Sequence, residues 1–281
     1  MKKYPWQLTE IPKSNIKRFG EGGKRTKDIL KKKPLFSIIT VVFNGEKFLE
    51  KTITSVINQS CKDFEYIVID GGSTDKSLEI IKKYEKKIDY WVSEKDNGIY
   101  DAFNKGMIVS KGEFIGFINS DDIYKKDALS IISNYIRKNK ATDFIFGSVK
   151  KHWGILHGYK PHKIKYSWGF YSSHSTGFFI KRKAAEKVGF YNIKYKYHAD
   201  YDYFYRLIVK NKMKGISKKK KEVVAIFRRG GFSSKISFWK KLKEDIRIRY
   251  DNGQNIFLLI LIFSNKFLRN IDEILKNIIK K

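Results

Sequence analysis

The sequence predicts an α/β fold, a doubly wound and mostly parallel sheet with helices on both faces. Two observations carry that prediction. Short runs rich in β-branched and aromatic residues alternate with segments whose apolar residues recur every three or four positions. Continuous apolar runs read as strands buried on both faces, and their alternation with helices reads as successive βαβ units. In addition, acidic residues stand at the ends of several apolar runs. Open α/β sheets bind ligands at the carboxyl ends of their strands.

The elements follow in order. Pro34 favours an extended entry into "LFSIITVVF", Leu35 to Phe43, the first strand. "NGE" turns the chain. Phe48, Leu49, Thr52, Ile53 and Val56 then fall at helical spacing over residues 46–59. "FEYIVID", Phe64 to Asp70, is the second strand. "GGSTD" follows with Ser73 or Thr74 as an N-cap, and "KSLEIIKKYEKK" is the next helix. "DYWVSE", Asp89 to Glu94, predicts a third strand, "IYDAFNKGMIVS" a third helix and "EFIGFIN" a fourth strand ending at "SDD". "YKKDALSIISNYIRKN" predicts a fourth helix, and "TDFIFGSV", Thr142 to Val149, one further strand. Residues 151–235 are irregular and rich in aromatics, His and Gly. The tail is helical and amphipathic, with Phe267, Ile271, Ile274 and Ile278 on one face. Three parts result: a basic extension over 1–33, an α/β domain over 34–235, and a helical basic tail over 236–281.

Charge is uneven. The 281 residues carry 59 Lys and Arg against 29 Asp and Glu, a net +30. Residues 1–33 hold 11 basic against 3 acidic residues, and 210–281 hold 20 against 6. Such flanks suit an anionic surface, lipid or nucleic acid. Lysine outnumbers arginine, and no RRM, KH or zinc-finger pattern is visible, which argues against nucleic acid. "IFLLILIF", Ile256 to Phe263, is too short to cross a bilayer, which needs about 20 residues. No secretory signal is visible, and the single cysteine, Cys61, excludes an internal disulfide. The expected location is the cytoplasm, with peripheral contact at the inner face of the membrane.

The adjacent acids Asp121 and Asp122 admit three readings: a cap for the next helix, ligands of a divalent metal, or an acid–base pair. One acid would suffice for a cap, and two side by side repel. A hard cation such as Mg²⁺ or Mn²⁺ removes that repulsion and joins carboxylates to phosphates. There is no P-loop, no dinucleotide fingerprint and no nucleophile elbow. A second acidic group, Asp200 and Asp202 in "HADYDYFYRL", either favours a helix dipole or supplies a general base.

These pieces together resemble the family 2 inverting nucleotide-sugar glycosyltransferases of GT-A fold. The resemblance rests on "SIITVVFN", "TITSVINQS", "YIVIDGGSTD", "SEKDNGIYDAFNKG", "GEFIGFINSDD" and "HADYDYFYRL", in order over residues 35 to about 210. It is similar to bacterial enzymes of surface-polysaccharide assembly. The resemblance implies that Thr40, Asn44 and Asp70 contact the nucleotide and that Asn104 lies near it. It implies that Asp122 binds the metal and that Asp121 sits near ribose or donor sugar. It implies Asp200 as catalytic base, with Asp202 orienting the helix or acceptor and His174 lining the acceptor or phosphate region. Gly71, Asn119 and Ala199 stand where acids are common in the family. The implied substrates are a UDP-sugar and a glycan or lipid-linked acceptor. Two rival functions are a non-catalytic nucleotide-sugar-binding relative and a basic nucleic-acid-binding protein.

Overall fold

The computed structural model describes residues 6–12, 16–26, 33–166, 175–228, 230 and 236–271. In chain order the elements begin with β1 (Arg18–Gly22), β2 (Phe36–Val42), α1 (Glu46–Ile57), β3 (Phe64–Asp70), α2 (Ser77–Lys83), β4 (Tyr90–Glu94) and α3 (Ile99–Val109). They continue with β5 (Phe114–Asn119), β6 (Ile123–Tyr124), α4 (Ala128–Lys138), β7 (Phe144–Phe146), β8 (Ser148–Lys151), β9 (Gly154–Leu156), β10 (Phe178–Lys181) and α5 (Arg182–Val188). The last are α6 (Ala199–Tyr205), β11 (Gly215–Ser217), β12 (Val223–Ile226), α7 (Phe238–Asp251) and α8 (Ile256–Arg269).

Among the described residues, one sheet of eight strands runs β1-β4-β3-β2-β5-β10-β7-β11 and another of four runs β6-β12-β8-β9. The centre of the large sheet is parallel: β2 pairs with β3 and β5, and β3 with β4. Strand β2 is buried throughout, and its side chains alternate between two cores. Ile39 and Val41 face one core with Phe103 and Met107 of α3. Phe36, Ile38 and Val42 face the other with Leu49, Ile53 and Val56 of α1 and Ile132 of α4. Helices therefore cover both faces, as the continuous apolar runs require. The register sets Val42 opposite Asp70 and Val41 opposite Asn119. The acids at the ends of β3 and β5 thus flank the end of β2.

Three expectations change. The described part of residues 1–33 does not stand apart: Arg18–Gly22 is an antiparallel edge strand on β4. Arg18 pairs with Glu94 at 2.8 Å, and the buried Arg25 pairs with Glu65 at 2.9 Å. Removing one partner of so buried a pair costs about 3–5 kcal/mol, so the segment is anchored. Thr142 to Val149 is two strands in two sheets, broken at Gly147, where a Cβ would meet Val224 Cγ2 at 2.4 Å. The tail also joins the body, because Ile248 of α7 belongs to the core beside α3 and α6. Of the predicted apolar face of the tail, Ile274 and Ile278 lie outside the described residues.

Candidate active site

Strand β5 delivers Asn119, and the turn after it delivers Asp121 and Asp122. Asp122 is fully buried. Its carboxylate accepts from the Arg228 amide at 3.1 Å, from Asn119 Nδ2 at 3.1 Å and from the Thr176 hydroxyl. Burial, and then the charge of Asp121, push its pKa up to about 7. Asp121 is partly exposed and meets the Arg228 guanidinium at 3.3 Å. That guanidinium also lies 3.5 Å from the centre of the Phe48 ring.

The oxygens here fit a divalent cation. Asn119 Oδ1 is buried and has no hydrogen-bond partner, so the Asp121–Asp122 pair has a third oxygen beside it. Among the described residues no three His, Cys, Asp or Glu side chains gather into a complete metal cage. Mg²⁺ and Mn²⁺ sites of this kind are completed by substrate phosphates and water.

Asp200 stands in the first turn of α6. It accepts from the Tyr201 amide at 2.9 Å and from the Tyr100 hydroxyl at 3.3 Å. Burial pushes its pKa up to about 6, and the residue as a whole is half-buried. A carboxylate so poised suits a general base near neutral pH. Lys151, at the end of β8, acts on both acids: its ammonium lies in the field of Asp122 and of Asp200. It is held 4.5 Å from the Phe227 ring, and burial lowers its pKa. Phe227 is fixed in turn by its amide on the Lys150 carbonyl at 2.8 Å, and the next amide is the Arg228 donor to Asp122. The small sheet thus brings two cations, Lys151 and Arg228, to acids that belong to the large sheet and α6.

Asp70 is fully buried at the end of β3, where the Ser93 hydroxyl and the Ser73 amide and hydroxyl donate to it. Asn44 adopts a left-handed φ of 49°, which Asn tolerates. Its Oδ1 accepts from the Thr74 amide at 2.8 Å and its own amide donates to Ser73 Oγ at 2.8 Å, joining the ends of β2 and β3. Beside them is Asp96, which the sequence reading passed over. A Cβ on Gly71 would come within 2.4 Å of Asp96 Oδ2, so the glycine makes room for that carboxylate. Asp96, Lys95 and Asn97 line an open cavity of about 650 Å³ with Ile16, Lys17 and Phe19. The N-terminal segment therefore supplies one wall of it.

Three other expected site residues have partners within the protein. Thr40 lies two residues short of the end of β2, fully buried, with its hydroxyl on that of Tyr66 at 2.9 Å. Asn104 spends both ends of its amide on the Tyr191 backbone, at 2.8 and 2.9 Å. Asp202 is buried against Arg206 at 2.9 Å and Asn252 at 2.9 Å, where it ties α6 to the end of α7. All three side chains are thus hydrogen-bonded within the protein. His174 lies outside the described residues. Thr176, two positions on, reaches Asp122 instead. Of the two acids in "HADYD", Asp202 is buried and Asp200 half-buried.

The comparisons with known proteins agree with this fold. The model of "Glycosyl transferase family 2" matches residues 37–204, more than half of the chain. A PGL/p-HBAD biosynthesis glycosyltransferase of Mycobacterium bovis is 29% identical over 179 residues, 60% of this chain and 68% of the relative. The putative teichuronic acid biosynthesis glycosyltransferase TuaG of Bacillus subtilis is 38% identical over 100 residues, 34% of this chain and 40% of that one. Among solved structures, S. aureus TarS 1-349 in complex with UDP-GlcNAc superposes with a TM-score of 0.62 at 18% identity, covering 84% of this chain and 72% of TarS. The mannosyltransferase PcManGT of Pyrobaculum calidifontis, in complex with GDP-Man and Mn²⁺, gives 0.59 at 14% identity, covering 85% and 70%. The architecture is the GT-A type, and the chain belongs to glycosyltransferase family 2.

Proposed function

We propose that this glycosyltransferase moves a sugar, with inversion, from a nucleoside-diphosphate donor, a UDP-sugar, to a hydroxyl of a glycan or lipid-linked acceptor. The setting is synthesis of a cell-surface polysaccharide, in the cytoplasm and in peripheral contact with an anionic membrane. One observation carries the reading: Lys151, half-buried at the end of β8 with its ammonium 4.5 Å from the Phe227 ring, lies in the field of both Asp122 and Asp200. Inversion by direct displacement needs this separation of tasks, with negative charge managed on the leaving side and a base on the attacking side.

In this reading Asp70 and Asp96 accept hydrogen bonds from the nucleotide, which enters the cavity beside Gly71. Asp121, Asp122 and Asn119 would hold Mg²⁺ or Mn²⁺, which would offset charge on the leaving diphosphate. Arg228 and Lys151 add fixed positive charge on that side. Asp200 takes the proton of the acceptor hydroxyl as the oxygen attacks the anomeric carbon. The bond from that carbon to the diphosphate oxygen breaks, and the electron pair leaves with the nucleoside diphosphate. No covalent intermediate forms, and no nucleophilic side chain is needed.

The test is a panel of UDP-, GDP- and dTDP-sugars incubated with the protein and Mn²⁺, Mg²⁺ or EDTA, with released nucleotide detected. Slow release from one donor, abolished by EDTA and by Asp122→Ala, is expected. Absence of release, together with absence of any donor-induced thermal shift, would move the function to the non-catalytic binding reading.

A further inference from the structure

Helices α7 and α8 pack as a hairpin against the domain. Their inner faces are accounted for. Leu242 and Ile248 of α7 are buried, as are Leu259 and Ile262 of α8. Asp245 ties the two helices, pairing with Arg249 at 3.2 Å and with Lys266 of α8. The start of α8 is fixed by Asn255, whose side chain accepts from the Phe257 amide at 2.9 Å.

The outer faces are of a different kind. On α8 the exposed side chains include Phe257 at 74%, Leu261 at 66%, Leu268 at 64% and Ile260 at 56%. These positions recur at helical spacing, so the large apolar groups share one face, interrupted at Ser264 between Leu261 and Leu268. On the outer face of α7, Lys240, Lys243 and Arg247 are exposed, bracketed by the exposed Trp239 and Tyr250. Trp239 leans onto Phe267 of α8 with ring centres 5.9 Å apart, which joins the two faces into one surface. Soluble proteins rarely leave an apolar stripe of this size uncovered. A stripe rimmed by Lys, Arg, Trp and Tyr matches the boundary of an anionic bilayer: acyl chains take the apolar groups, headgroups the cations, and the interface the two amphipathic rings. Among the described residues no helix is long and apolar enough to cross a membrane.

We propose that the outer face of the α7–α8 hairpin docks on an anionic lipid bilayer, with the α8 stripe inserted at the headgroup boundary and Lys240, Lys243 and Arg247 over the lipid charges. This gives a surface to the peripheral contact proposed above. It is read without donor or acceptor, so its failure and the failure of the transfer reading are separate results.

The test is flotation of the full chain with vesicles of phosphatidylcholine containing phosphatidylglycerol, against vesicles of phosphatidylcholine alone. Binding to the anionic vesicles is expected, weakened by salt. The variant Phe257→Ser with Leu261→Ser weakens it about tenfold or more, because both side chains leave the stripe. Lys243→Gln and Arg247→Gln each weaken it about fivefold. All four positions are exposed, so the fold is retained, and a thermal melt checks this. Trp239 fluorescence is quenched by spin-labelled lipid in the wild type, and that component disappears in Trp239→Phe. The proposal is overturned if the wild type ignores anionic vesicles at low salt, or if the serine variant binds them as the wild type does. It is also overturned if the serine variant loses a concentration-dependent dimer seen without vesicles, since a second copy would then cover the face.

Discussion

Replacing Asp122 by Asn probes the buried acid directly. The carboxylate is fully buried beside Asp121, and its pKa rises from the ordinary 3.8 to about 7. An acid whose pKa is raised by folding holds its proton more tightly folded than unfolded. The stability this gives is complete below the unfolded pKa and is lost as the pH rises toward the folded one. At 1.36 kcal/mol per pH unit the whole effect is on the order of 4 kcal/mol, of which roughly 3 falls between about pH 5 and about pH 8. Asn has no such titration, yet its carbonyl still accepts from the Thr176 hydroxyl or the Arg228 amide. Urea unfolding of wild type and Asp122→Asn in EDTA should therefore show the variant gaining on the wild type by roughly 3 kcal/mol across that range. Excess Mn²⁺ near pH 8 should stabilise the wild type and leave the variant nearly unchanged, because only the carboxylate binds the ion well. Parallel curves for the two proteins in EDTA would refute the reasoning, since Asp122 would then ionise as freely folded as unfolded.

Further predictions follow from the same geometry. The rate of transfer rises with pH through an acid limb near 6, where Asp200 loses its proton. In Lys151→Gln that limb moves to higher pH, because the ammonium holds the Asp200 pKa down, and kcat falls by about 10- to 100-fold as measured by nucleotide release across pH. Gly71→Ala drives a methyl group into Asp96 Oδ2, and thermal melts with and without UDP should show a loss of about 1–3 kcal/mol together with weaker nucleotide binding. Asp202→Ala strips Arg206 and Asn252 of their partner and costs about 3 kcal/mol in a urea melt, while the folded fraction keeps its affinity for donor.

The order of elements from β2 to β5 was legible because β2, β3 and β5 are buried on both sides and must be apolar at nearly every position, whereas the short strands β9 to β12 and helices α5 and α6 within 151–235 were not. Asp70 and the Asp121–Asp122 pair were legible for the same reason: a charge that ends such a run is conspicuous. Strand β1 was not, since Arg18–Gly22 reads "RFGEG" and an edge strand needs only one covered side. The contact of the buried Thr40 hydroxyl with Tyr66 was not legible either, since it depends on the pairing of β2 with β3. Asp200 and Asp202 could not be told apart by spacing, because the difference lies in Arg206 and Asn252 covering one of them. Lys151 and Arg228 carried no local signal at all. They reach the site through the parallel pairing of β8 with β12, strands far apart in the chain that join only in the fold.

The central claim is that Asp200 is the base. The most direct test is nucleotide release and sugar transfer by Asp200→Asn, measured beside donor affinity on the same preparation. The account predicts that turnover falls by about 10²- to 10⁴-fold while the donor still binds as in the wild type, because the amide keeps the shape and loses the proton acceptor. Turnover within a few-fold of wild type, with the acid limb still near pH 6, would contradict it and assign the proton to another group.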